Sequence, residues 1–424
     1  MKHYSWLTLL FLLFTGACKD ELDVAPVEVS TETEQTADLQ TVQTYDGSTT
    51  KYGCKVKRLR TGEIIQICKP TNWNGELIIY AHGYVSAFAP LALPTEAAPY
   101  VPLFTSMGYA FATTSYTENG LAIQTGIQNI LDLRQRFIKE YGKPKYIYLT
   151  GGSEGGIITT LTIERYPTLF NGGLSLCGPC GDFRKQINYY ADFRVLFDYF
   201  FPGVLPGDAI NIPNKLIRNW ESVYVPAILQ AIKKDPATAL KLLKVAQAPY
   251  DPNDLNTVGE TFIRVLWYDV FATRDAIQKL RGQPYDNCKR VYTGTGDRRE
   301  DKRLNANVDR FTADKQALRN IERYYQTTGN IRLPLVKAHT TADPVIPFWH
   351  LLLYQVKVAA QGRSSLFNGI PVERYGHCTF NETEIVAGLS LLVQKVKGQA
   401  PSQAQHLITQ ARKGKIVQSV TLVQ

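Results

Sequence analysis

The segment Thr150-Gly151-Gly152-Ser153-Glu154-Gly155-Gly156 constrains this chain more than any other. Before it runs PKYIYLT, residues 144–150, whose aromatic and β-branched content predicts a strand covered by the rest of the protein. After it, Glu154 to Tyr166 predicts a helix that Pro167 ends. A strand that passes straight into a helix must reverse sharply, and the residue at the apex takes a strained backbone. Glycines two positions to either side, Gly151 and Gly155, let strand and helix approach without Cβ clashes. Ser153 is thereby lifted clear of the sheet, with the helix N-terminus facing any negative charge that develops beside it.

The surrounding pattern repeats the same rhythm. Glu76–Ala81, Gly108–Thr113, Leu174–Cys177, Ile331–His339 and Ile370–Tyr375 read as strands. Gly126–Tyr141, Pro347–Ala360 and Glu382–Val396 read as helices. Strands alternating with helices predict a mainly parallel sheet with helices on both faces. Residues 181–328 break the alternation and read as an inserted, mostly helical cap. The cluster Tyr189, Tyr190, Phe193, Phe197, Tyr199, Phe200 and Phe201 suits the core of that insert and equally an apolar wall over a cleft.

A serine hydroxyl attacks a carbonyl only when a base takes its proton, and the base needs an acid to fix its tautomer. Of six histidines, His377 in YGHCTF (375–380) follows the last strand, where a loop at the sheet's C-terminal edge meets the elbow. His339 at a strand end reads as a structural hydrogen-bonding group, His350 sits in an apolar helix and His406 in a polar tail. Asp343, in HTTADPVIP (339–347), stands just beyond the preceding strand with Pro344 and Pro347 bracing the turn; Asp297 and Asp182 are the alternatives.

The order Ser153, Asp343, His377, together with the elbow, the D-P-x-x-P loop and the late Gly-His, resembles the α/β-hydrolase family over roughly Tyr52 to Lys397. The resemblance implies an α/β fold: a mainly parallel eight-stranded sheet with an antiparallel start, helices on both faces and a helical cap. It assigns Ser153 as nucleophile, His377 as base and Asp343 as the orienting acid. An oxyanion hole comes from the backbone N–H of Glu154 and, through the His-Gly-x pattern at His82-Gly83-Tyr84, that of Tyr84. No cofactor is called for, and neither a His-Glu-x-x-His run nor a Cys/His cluster of zinc spacing occurs. A small-molecule carboxylic ester is the expected substrate, the aromatic cap segment suiting an apolar acyl or aryl group. A serine peptidase of the prolyl-oligopeptidase type and a non-catalytic, ligand-binding surface lipoprotein are the other readings.

Seven cysteines add constraints. Cys54 and Cys68 flank the Thr61-Gly62-Glu63 turn almost symmetrically, as a cross-strand bridge requires. Cys177-Gly178-Pro179-Cys180 has the CxxC spacing of thioredoxins, but lies mid-chain rather than at the start of a helix after the first strand, which points to a structural role. In a subgroup of secreted esterases a cysteine before the nucleophile bonds one after the histidine. Cys378 matches the second position, yet residue 152 is glycine, leaving Cys177, Cys180 and Cys288 as partners.

At the chain start, Lys2 and His3 precede an apolar run from Trp6 to Phe14, too short to span a bilayer, and then Thr15-Gly16-Ala17-Cys18. The segment resembles the lipobox of bacterial lipoproteins, with Cys18 the lipidated residue. Lys19-Asp20-Glu21 resembles the surface-export signal of Bacteroidota lipoproteins. The expected organisation is a signal peptide over 1–17, Cys18 and a polar tether over 18–50, a hydrolase core over 51–180 and 329–424, and the cap over 181–328. The expected location is the outer membrane, facing outward, held by lipid. The formal charge of +9, 47 basic against 38 acidic residues, is spread without a basic block. Residues 297–303 (DRREDKR) are mixed in sign and read as a solvated loop, so no nucleic-acid partner is expected.

Overall fold

The computed structural model describes residues 52–399. The expected signal peptide (1–17), Cys18, the expected tether (18–50), His406 and the rest of residues 400–424 lie outside the described residues.

The strands are β1 (Cys54–Arg58), β2 (Ile64–Cys68), β3 (Glu76–Ala81), β4 (Ala110–Thr114), β5 (Tyr146–Gly152), β6 (Gly172–Leu176), β7 (Leu335–Ala342) and β8 (Phe367–Tyr375). They form one eight-stranded sheet in the order β1-β2-β4-β3-β5-β6-β7-β8. β2 pairs antiparallel with both β1 and β4, and every other pairing is parallel. This is the α/β-hydrolase arrangement. β3, β4 and β6 are buried along their whole length, as strands covered on both faces must be.

The helices are α1 (Tyr100–Ser106), α2 (Ile123–Tyr141), α3 (Glu154–Arg165), α4 (Phe183–Phe200), α5 (Asn214–Arg218), α6 (Val225–Lys234), α7 (Pro236–Ala246), α8 (Asn256–Leu280), α9 (Arg298–Asn307), α10 (Lys315–Tyr324), α11 (Trp349–Ala360) and α12 (Glu382–Lys397). Side chains of α2, α3 and α11 share a core with one face of the sheet. Those of α1 and α12 pack on the other. The described elements between β6 and β7 are all helical, and α4 to α8 enclose a core of their own around Phe193, Phe197, Trp220, Phe262 and Leu266. Arg194 on α4 ties that core together, bonding Asp198 at 2.8 Å and reaching Asp269 of α8 at 3.5 Å, both from a fully buried side chain.

Two local readings change. Residues 298–307 form α9 rather than a loop: the Asp297 carboxylate caps the Arg299 amide at 2.8 Å, and Glu300 and Asp301 sit in the first turn, where the helix dipole favours acids. β7 begins at Leu335 instead of Ile331, after the amide-less Pro334, and runs on to Ala342 because β8 pairs with it across an irregularity between Thr340 and Ala342.

Candidate active site

Ser153 occupies the turn between β5 and α3 with φ +55° and ψ −122°, outside the regions that L-residues favour. The packing around it leaves no room for larger neighbours. A Cβ on Gly155 would run into the Ala81 carbonyl, and one on Gly156 would lie 2.7 Å from the Leu176 carbonyl. The Ser153 amide is fastened to the Leu176 carbonyl at 3.0 Å. Strain at the apex is thus held by close approach of three strands and a helix.

His377 Nε2 lies 2.9 Å from Ser153 Oγ, and its Nδ1 lies 2.7 Å from Asp343 Oδ2. With the Nδ1 proton donated to the carboxylate, Nε2 is left as the acceptor for the serine hydroxyl. Asp343 is completely buried, and its other oxygen accepts the amides of Val345 and Ile346, each at 2.9 Å. The loop that carries the acid is itself gripped from the insert. Tyr189 of α4 donates to the Pro344 carbonyl at 2.7 Å and Gln186 Nε2 to the Val345 carbonyl at 3.0 Å. At the far edge, Tyr375, the last residue of β8, meets Thr261 of α8 at 2.9 Å.

His339 and His350 are engaged elsewhere. His339 is buried, donates from Nε2 to the Ile346 carbonyl at 2.7 Å, and is pushed down to about 4 by burial, so it stays neutral. His350 accepts the Gly181 amide at Nδ1 and so donates from Nε2 to Gln186. Asp182 and Asp297, the alternative acids, cap α4 and α9.

Of the two amides expected to form an oxyanion hole, that of Glu154 is the first of α3, where no intrahelical acceptor exists. His82 Nδ1 holds the Gly83 carbonyl at 2.7 Å, and since a trans peptide sets C=O and N–H in opposite senses, this fixes the direction of the Tyr84 N–H. A Cβ on Gly83 would stand 3.4 Å from that of Ser153, so this loop runs directly past the serine.

Ser153 opens into a narrow cavity of about 100 Å³ between core and insert. It is walled by Tyr84, Ile123, Phe183, Tyr190, Tyr268 and Ile346, and holds one carboxyl, that of Glu154. Tyr190 and Tyr268 stack at 5.0 Å. The aromatic segment therefore serves both purposes: its phenylalanines fill the insert's core and Tyr190 faces the cavity. Sequence reading used only the Glu154 backbone; its buried side chain gave no signal, because an acid at a helix start is ordinary on the surface.

Cys54 and Cys68 are bonded across the first hairpin, and Cys378 is bonded to Cys177 at the end of β6. A Cβ at Gly152 would lie 3.6 Å from Cys378 Sγ, so the bridge to the histidine loop is anchored one strand over from the position used by the secreted esterases. The CxxC pair is not bonded to itself. Cys180 is a buried free thiol, 3.2 Å from the buried ammonium of Lys337. Cys177, His377 and Cys378 place ligand-type atoms within 4.8 Å of one another. Both sulfurs are spent on the disulfide and both ring nitrogens on Ser153 and Asp343, so the group does not suit a metal.

Residues 27–225 match the model of a tannase-like family of unknown function (DUF6351), a span that includes Tyr84, Ser153 and Glu154 and ends before Asp343 and His377. No curated protein matches the chain. Among solved structures it is similar to feruloyl esterase B from Aspergillus oryzae, at 15% identity over 80% of this chain and 79% of that one, with a TM-score of 0.43. It is also similar to lipase A from Candida antarctica (13%, 82% and 78%, 0.41). An acylaminoacyl peptidase from Pyrococcus horikoshii (13%, 83% and 43%, 0.45) is similar too, and this chain spans less than half of that protein's length.

Two outcomes follow from the site's construction. Replacing Cys177 and Cys378 together by serine frees the His377 loop, and urea unfolding should show a loss of about 2–5 kcal/mol; an unchanged midpoint and slope would mean the bridge carries no load. Burial pushes the Glu154 carboxyl from 4.5 up to about 8. Between these values the folded protein keeps a proton that the unfolded chain releases, so Glu154 lowers stability as pH rises through that window. Glu154→Gln removes the loss, and its gain in Tm over the parent should widen from about pH 5 to about pH 8.5. A gain that is constant with pH would contradict the assignment.

Proposed function

We propose that this chain is a serine hydrolase that cleaves carboxylic esters through an acyl-enzyme. The observation that carries the reading is the unbroken chain of hydrogen bonds from Ser153 through His377 to Asp343, opening at the serine into a mainly apolar cavity. On this reading His377 takes the serine proton as Ser153 attacks the carbonyl, and returns it to the departing alcohol. Asp343 steadies the imidazolium. The amides of Glu154 and Tyr84 receive the oxyanion, each contributing about 3–4 kcal/mol if it is aimed as such donors usually are. Water then repeats the sequence on the acyl-enzyme.

An ester is favoured over an amide by the cavity's lining of aromatic and aliphatic side chains, which suits an apolar acyl group and offers little to a peptide backbone. The likeness of residues 27–225 to a tannase-like family agrees with an ester substrate. We further propose that the protein is a lipoprotein held at the outer face of a bacterial outer membrane through Cys18, on the strength of the residues 2–21 pattern. Among the described residues no helix is long and apolar enough to cross a membrane.

Purified protein should hydrolyse p-nitrophenyl butyrate in preference to aminoacyl and peptidyl anilides and should react with a fluorophosphonate probe. Ser153→Ala should abolish labelling and lower kcat by at least about 10³-fold. Preference for an anilide would replace the esterase by a peptidase. Folded protein that takes no label would leave a binding module. For the anchor, expression of the full chain in a lipoprotein-processing bacterium should place it in the membrane fraction, and Cys18→Ser should release it; a variant that stays membrane-bound would exclude lipid at that residue.

A further inference from the structure

The Glu154 side chain has no part in the proposed chemistry, which uses only its amide. Yet it is 6% exposed, sits immediately after the nucleophile and lines the same cavity. Its Oε1 accepts the Ala122 amide at 2.9 Å. The cation whose field reaches it, Lys279, is already committed to Asp275 at 3.3 Å, to Glu118 at 3.6 Å and to the Asn119 carbonyl at 2.6 Å. Three other polar side chains at the cavity wall are engaged. Gln186 bonds Val345 and His350, Tyr84 donates to the Phe271 carbonyl, and Tyr285 donates to Asp192. Glu154 is therefore a carboxyl with hydrogen-bonding capacity to spare in a mainly apolar space.

An ionised carboxylate in such a space carries a desolvation cost of several kcal/mol that one backbone amide does not offset. The acid form has no such cost and both donates and accepts. Its natural complement is a neutral group that does the same. An incoming ammonium would have to be stripped of water and to ionise the carboxyl as well, and an incoming carboxylate would be repelled by Glu118 and Asp275.

We propose that Glu154 is the specificity-determining residue of this cavity, and that it selects esters whose apolar acyl portion carries an alcohol hydroxyl, hydrogen-bonded by the Glu154 carboxyl while Ser153 meets the carbonyl. The proposal rests on the esterase reading for its kinetic test but not for its binding test. The burial that raises Glu154 agrees with it: at neutral pH the group is largely in the form that can donate.

The test uses methyl esters of phenylacetic acids bearing a methyl, hydroxymethyl or aminomethyl substituent at the ortho, meta and para positions, a series that alters polarity with little change of shape. The quantity read is the ratio of kcat/KM for the hydroxymethyl ester to that for its methyl counterpart, in which any effect on the backbone donor cancels. In the parent protein the best positional isomer should give a ratio of at least about 10. Glu154→Gln, which keeps a donor and an acceptor, should stay within about threefold of that ratio, and Glu154→Leu should bring it to about 1. Titration calorimetry on Ser153→Ala with the same esters should show the same order of affinities without turnover. A parent ratio near one, a preference for the aminomethyl ester, or a preference that survives in Glu154→Leu overturns the proposal. Failure of the parent to hydrolyse any ester sinks the esterase reading, and the Ser153→Ala affinities then decide this one by themselves.

Discussion

Everything in this site depends on how closely the backbone can approach itself at the end of β5. Ser153 is held at φ +55° because Gly151, Gly155 and Gly156 let β5 and α3 press against Ala81 of β3 and Leu176 of β6 with nothing between them. A methyl group at any of the three would meet a carbonyl oxygen. Interiors are packed too tightly to give way at such points. The strained apex is stable only because the surrounding contacts over-determine it, and the same contacts aim the first amides of α3 and the hydroxyl of Ser153 to one side of the sheet.

The partners of Ser153 come from segments about two hundred residues further on, and three different devices hold them there. The parallel pairing of β6, β7 and β8 carries the acid and histidine loops to the same sheet edge. The Cys177–Cys378 bridge fastens the residue next to His377 to the strand beside the elbow. Helices α4 and α8 of the insert then clamp the acid loop and the end of β8 through Tyr189, Gln186 and Thr261. The base of the insert is consequently part of the frame around Asp343. It cannot lift away as a lid without breaking the hydrogen bonds that position that carboxylate.

The cavity follows from the same arrangement. Where the insert crosses the elbow it contributes the stacked Tyr190 and Tyr268, while the core contributes Tyr84, Ile123 and the carboxyl of Glu154. The Glu154 side chain is buried in the wall of that cavity, and burial drives an acid that would be ordinary at an exposed helix start toward its neutral form here.

Much of this was legible in the chain itself. Glycine spacing around Ser153 is a local steric requirement, and alternating apolar runs and amphipathic stretches are local periodicities, so the elbow, the strands and the α/β class could all be read residue by residue. The chain order of Ser153, Asp343 and His377 singled out the side chains that the structure joins by hydrogen bonds. What the sequence could not decide is anything set by distance in space between residues remote along the chain. Which cysteine closes on Cys378, where β7 starts once β8 has paired with it, that Asp297 opens a helix, and that the Glu154 side chain is buried were all decided by tertiary packing. Each depends on which surfaces meet, and a one-dimensional pattern fixes the faces a segment offers without fixing what will be pressed against them.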